Sequence, residues 1–160
     1  MENRMKEENM KGMNYGRFWV MLLISFLIMY IVMFLNIDKL SHYHTSLTRI
    51  YMALLMVTPM AVVMMLMMGK RYPNRKANTT IILASIVLFI VVLAGLRSQT
   101  PVDDVQYMKA MIPHHSSAIM VSKHANIKDP EVKKLSEEII ASQEKEIAEM
   151  NQMIERLTKK

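Results

Sequence analysis

Apolar positions along the chain fall into three unbroken blocks, followed by a stretch in which apolar and polar residues alternate with a helical period. No Asp, Glu, Lys or Arg occurs in residues 18–35, 50–68 or 79–96. Each block has about the 17 to 25 residues that a bilayer-crossing helix needs, so three transmembrane helices are predicted. No small-x-small cleavage site follows the first block, which therefore reads as an anchor and not as a cleaved signal.

Past the third block the pattern changes to two amphipathic helices. Asp103 or Asp104 can cap a helix that passes through Pro113 to about residue 125, and the proline should free a carbonyl and bend the axis. At 100° per residue, Met108, Met111, Ile112, His115, Ala118 and Ile119 share one face. His114 lies on its flank, while Met120 and His124 form a separate i,i+4 pair. Asp129 followed by Pro130 is a start signal for a second helix running to about Leu157. Its apolar stripe is Leu135, Ile139, Ile140, Ile147, Met150, Met153, Ile154 and Leu157, with Gln143 and Glu146 inside it. Glu146 there calls for a metal or for a hydrogen bond from His115, unless it sits at the margin and stays hydrated.

The predicted fold is all-α, with a tail (1–17), three transmembrane helices (18–96), a linker (97–102) and a helical hairpin (103–160). Two helices bury too little surface to be stable alone, so the hairpin is expected to pair with a second copy as a four-helix bundle. Met111, His115, Glu146 and Met150 would then meet on facing helices. Lys133, Lys134, Glu137, Glu138, Lys145 and Glu149 form a solvated face.

Charge adds an orientation. Arg4, Lys6, Lys11 and Arg17 precede the first block, and Lys70, Arg71, Arg75 and Lys76 lie between the second and third, whereas the first connection carries Lys39 and Arg49. The positive-inside rule places the N-terminus and residues 69–78 in the cytoplasm and the hairpin outside. Trp19, Tyr15, Phe18, Tyr51 and Tyr72 are placed as interfacial anchors. The net charge of +6 thus marks topology; no basic stripe with interleaved aromatics marks a nucleic-acid site.

Composition points to chemistry, because 19 of 160 residues are Met and none is Cys. Met is an adaptable apolar filler, but thioethers also bind Cu(I) and Ag(I) far better than they bind hard cations, and imidazole serves copper as well. The run Tyr-Met-Lys-Ala-Met-Ile-Pro-His-His-Ser-Ser-Ala-Ile-Met at residues 107–120 combines both ligand types. In the second block Met52, Met56, Met60, Met64 and Met68 recur every four residues around Pro59. This row is either a packing stripe or a path for Cu(I). Met56 and Met60 resemble the Met-x-x-x-Met pair in the middle span of eukaryotic high-affinity copper uptake transporters. The third block lacks the Gly-x-x-x-Gly motif of those proteins, and the predicted orientation is opposite. His42 and His44, in the first connection, are possible accessory ligands along with Met56, Met60 and Met64.

The Met-Ile-Pro-His-His run, followed by Glu-Ile-Ile-Ala-Ser-Gln-Glu-Lys-Glu-Ile-Ala-Glu-Met, resembles the domain-of-unknown-function 305 family over about residues 103–154. The whole chain resembles a bacterial membrane subgroup with three spans before one such domain. That resemblance implies a ferritin-like helical bundle and copper binding outside the cytoplasm. On the motif's positions it implicates Met108, Met111, His114, His115, Met120, Gln143, Glu146 and Met150. Many members carry two tandem copies, and this chain has one.

The combined expectation is a bacterial plasma-membrane protein whose extracytoplasmic hairpin binds copper, as Cu(I) or Ag(I), for metal tolerance or delivery. Its expected partners are the bilayer, further copies of itself and copper-handling proteins. A ferritin-like oxidase would want a Glu-x-x-His pair, which the sequence lacks, so no enzymatic activity is expected. The alternatives are a Cu(I) channel or exporter subunit using the Met row, and a membrane-anchored interaction module in which the His-His pair is structural.

Overall fold

A chain that cannot hydrogen-bond its backbone to lipid must satisfy it internally, and long charge-free runs do so as helices. The structure, a computed structural model, describes residues 14–159; the tail cations Arg4, Lys6 and Lys11 lie outside the described residues. Among the described residues there are five α-helices and no strand: α1 (Tyr15–Val32), α2 (Leu47–Met68), α3 (Arg75–Ser98), α4 (Asp104–His124) and α5 (Pro130–Thr158). The first three are long and apolar enough to cross a membrane.

Helix ends differ from the expected spans for local reasons. α1 stops at Val32 because Phe34 and Leu35 donate to the carbonyls of Ile31 and Val32 in a tight turn, and the Arg49 guanidinium takes the Met33 carbonyl at 2.6 Å. α3 starts at Arg75, before the charge-free run, because the Asn74 side chain accepts the Ala77 N–H at 3.1 Å and caps it. It ends where Gln99 turns to a φ of 53°.

The chain forms two compact units. One combines the described residues up to Met29 with Tyr51–Ser98. Its core is Phe18, Leu22, Val57, Ala61, Met65 and Tyr72. Of these three helices α2 is the best covered, with about three times the buried share of α1 or α3. The buried stripe of α2 is Ala53, Val57, Ala61 and Met65, one position beyond the methionine row. Small side chains there allow close approach. Met52 and Met56 are exposed, whereas Met64 and Met68 pack partly on the core. Asn78, buried at the start of α3, accepts from the Tyr15 hydroxyl at 2.8 Å and donates to the Gly69 carbonyl at 3.0 Å.

The other unit combines Tyr30–Ile50 with residues 99–159. The first connection therefore packs with the hairpin, where the sequence pattern had grouped it with the spans. α4 starts on an Asp103 cap that accepts the Gln106 N–H, and α5 on an Asp129 cap that accepts from Glu131 and Val132. The helices close on Ile112, Ile119 and Ile147, flanked by Ile140, Met150 and Ile154. On another side of α4 lies the connection, with a 3-10 turn at Leu40–His42. Ser116, fully buried, accepts the Asp38 N–H at 2.8 Å and pairs with His42 Nδ1 at 2.8 Å. Gln106 accepts the Leu47 N–H, and Lys123 bridges Asp38 at 3.0 Å and Glu144 at 3.5 Å. Phe34 is held between the Tyr43 ring, 4.2 Å away, and the Arg49 guanidinium, 4.2 Å above it. α4 is thus covered on two sides by its own chain.

Ser116→Ala leaves a buried imidazole nitrogen and a partly buried N–H without this partner and should cost about 1–3 kcal/mol. Ser117→Ala, which removes only an exposed bond from Asn36, should stay within about 0.5 kcal/mol. Denaturant unfolding of the detergent-solubilised chain, followed by circular dichroism, checks the ranking.

Candidate functional site

Spacing of three and four residues along α4 turns Met108, Ile112, His115 and Ile119 toward the hairpin core, and all four are buried. Opposite, Glu146 lies beside the buried Ile147 on α5. His115 Nδ1 is 3.1 Å from Glu146 Oε2. That nitrogen is shielded from solvent yet off the line of a hydrogen bond, so it is an orphaned polar atom in contact with a carboxylate. The other carboxylate oxygen accepts the Ser142 hydroxyl at 2.8 Å, from one turn earlier on α5. Glu146 itself is only half-buried, at the margin of the stripe.

Met111 precedes His115 by one turn and Met150 follows Glu146 by one turn, so the antiparallel register puts the two thioethers at corresponding levels. Both are half-buried, and Met150 packs against the core. Gln143 is half-buried one turn the other way. His114 is exposed, its ring centroid 6.1 Å from that of His115 with planes 63° apart, so the two imidazoles diverge. Met120 is half-buried and His124 exposed in the last turn of α4.

The accessory histidines lie on the connection. Ser116 Oγ accepts the Asp38 N–H and also lies 2.8 Å from His42 Nδ1, a contact in which either partner can donate according to the imidazole tautomer. His44 Nε2 is buried without a hydrogen bond. Neighbouring residues His115 and Ser116 therefore receive different elements, α5 on one side and the connection on the other. Sequence reasoning passed over Ser116, although a serine at a buried helical position always raises the question of its partner.

Burial holds all three histidines below the ordinary imidazole value. For His115 the Glu146 carboxylate opposes this and His114 adds to it; for His42, Lys39 and Lys123 add while Asp38 and Glu144 oppose; for His44, Lys109 and His42 add. Each is a neutral base near pH 7, the form that binds metal.

Among the described residues, no three His, Asp or Glu side chains converge on a point that could hold an ion. The donors around His115 are one imidazole, one carboxylate and thioethers, a set matched to a soft ion and poor for Mg²⁺ or Ca²⁺. Glu146 stands against Nδ1 without a hydrogen bond between them, and among the described residues the Nε2 side makes no hydrogen bond either. Met56, Met60 and Met64 belong to the other unit.

The chain is thus an all-helical protein with three helices apolar enough to span a membrane and a helical hairpin bearing a His–Glu contact. The family model described as "Domain of unknown function (DUF305)" matches residues 92–159. The protein is 36% identical over 146 residues to the "Uncharacterized protein L153" of Acanthamoeba polyphaga mimivirus, covering 89% of this chain and 94% of that one. The chain belongs to the DUF305 family. No solved structure matches it.

Because the folded protein depresses these imidazole values, the unfolded state binds protons more readily. Their contribution to stability is full above about pH 6.5 and is lost as pH falls through the folded-state values. The metal-free chain should melt at progressively lower temperature between pH 7.5 and pH 5. His115→Gln should flatten that dependence, as read by circular dichroism melts across the series.

Proposed function

We propose that this protein is a membrane-anchored metal-binding protein whose hairpin takes a soft ion, Cu(I) or Ag(I), for metal tolerance or delivery. It acts by binding and not by catalysis. The observation that carries the reading is the buried, unbonded His115 Nδ1 against Glu146, flanked by thioethers one turn away. Met111, His115 and Met150 would hold the ion, with Met108 closing the site from the buried face and Glu146 orienting the imidazole. His114, Met120, His124 and Gln143 surround this centre, and His42 and His44 would serve as accessory ligands from the connection.

The same reading includes an extracytoplasmic hairpin, a second copy and a copper-handling partner. Val132, Leu135, Met153 and Leu157 support a second copy, since they leave apolar surface exposed on α5. The L153 relative is viral, so the proposal is not tied to a bacterial host.

Chelator competition with the purified full-length chain should give Ag(I) or Cu(I) binding in preference to Mg²⁺ and Ca²⁺. Glu146→Gln should weaken it about 10- to 100-fold as an orienting group, and His115→Gln with Met111→Leu should weaken it further. Binding in the double variant equal to that of the unchanged chain would place the site elsewhere. Light scattering on the same samples should give a dimer or larger assembly; a monomer at all concentrations would remove the second copy.

Orientation is tested separately with single cysteines in this cysteine-free chain. An impermeant thiol reagent on intact cells should label Ser98→Cys and spare Asn74→Cys, and the reverse pattern would invert the assignment.

A further inference from the structure

Where α2 ends and α3 begins, the spanning unit carries an open cleft of about 610 Å³. It is lined by Met65 and Leu66 from the end of α2, by Lys70 and Tyr72 from the connection, and by Arg75 and Thr79 from the first turns of α3. Leu66 is 69% exposed in the last turn of α2, so the cleft's apolar wall opens sideways, toward the acyl chains of a surrounding bilayer. Lys70 stands four residues further on, in the turn Gly69–Arg71, at the level where a span meets headgroups.

Among the described residues, the positive charge at this cleft has no counterpart within its unit. Arg17, Lys70, Arg71, Arg75, Lys76 and Arg97 belong to this unit, and its described residues contain neither Asp nor Glu. Arg75 is also the first residue of α3, where the positive end of the helix dipole adds to its charge. The cleft is held in shape from within. Asn78 ties Gly69 to α3, the Tyr15 hydroxyl closes on Asn78 and on the Asn74 carbonyl at 3.0 Å, and the Tyr72 ring packs 5.0 Å from that of Tyr15. A cationic rim over an apolar wall open to the bilayer has the polarity of a phospholipid, with the phosphate above and the chain below.

We infer that this cleft binds one anionic glycerophospholipid, its phosphate against Lys70 and Arg75 and an acyl chain along Leu66. Basic residues attract such lipids by about fivefold in affinity for each cation near the surface, and a shaped cleft concentrates that attraction at one position.

Native mass spectrometry of the full-length chain, released from micelles containing phosphatidylglycerol and phosphatidylcholine in equal amounts, tests the site. One phosphatidylglycerol should stay bound where phosphatidylcholine is lost. Lys70→Gln with Arg75→Gln should reduce its retention by more than tenfold. Arg71→Gln with Lys76→Gln removes the same charge outside the cleft and should leave retention nearly unchanged. Equal loss in the two double variants would mean diffuse attraction to the basic face and would overturn the site, as would retention in both. Displacement of the lipid by millimolar inorganic phosphate would reassign the cleft to a free anion. Should the first pair fail to fold by circular dichroism, Lys70→Gln alone against Arg71→Gln gives the same comparison within one turn.

Discussion

Three helices long and apolar enough to cross a membrane satisfy their own backbone polar groups, and that constraint shapes the rest of this protein. Carrying no charge through their apolar runs, they leave the connections and the hairpin to hold the carboxylates and histidines of the described residues. The consequence is visible in how each unit is closed. The spanning unit is tied by a polar clasp at the end of its helices, where Tyr15, Asn74 and Asn78 satisfy one another and the Gly69 carbonyl. The other unit is tied by the connection between α1 and α2, whose polar atoms find partners on α4.

That second arrangement changes how the hairpin solves its size problem. Two helices enclosing Ile112, Ile119 and Ile147 make a thin core. The connection adds a layer by docking His42 and Asp38 on Ser116, and Lys123 links connection, α4 and α5 through Asp38 and Glu144. The side of α4 that the connection occupies is thereby covered, while Val132, Leu135, Met153 and Leu157 remain exposed on α5.

Methionine abundance divides between two physical roles. Met65 and Met108 are buried filler or lining in their units, as a flexible thioether permits. Met52 and Met56 face outward from α2, so within one chain the four-residue row forms no enclosed path. The methionines that stand near an unbonded imidazole are those of the hairpin. Ligand chemistry depends on that company, and residue counts do not report it.

Much of this was legible in one dimension. The charge-free runs named the three spans, Asp103 and the Asp129–Pro130 pair named the starts of α4 and α5, and helical spacing turned His115 and Glu146 toward each other, because each of these is set by residues within a few turns of one another. The Met-Ile-Pro-His-His run also carried the family. Other features depend on contacts between residues some 80 positions apart, which local periodicity does not encode. Ser116 became the seat of the connection only because Asp38 and His42 fold back onto it. His115 and His114, adjacent and chemically identical, parted when packing buried one and left the other in solvent. Glu146 fell at the margin of its stripe, half exposed and held by Ser142, since the depth of a helix face depends on what packs against it. Helical period and capping thus determined which elements form and which way they face, while tertiary packing decided which of their polar atoms lose water and so acquire chemistry.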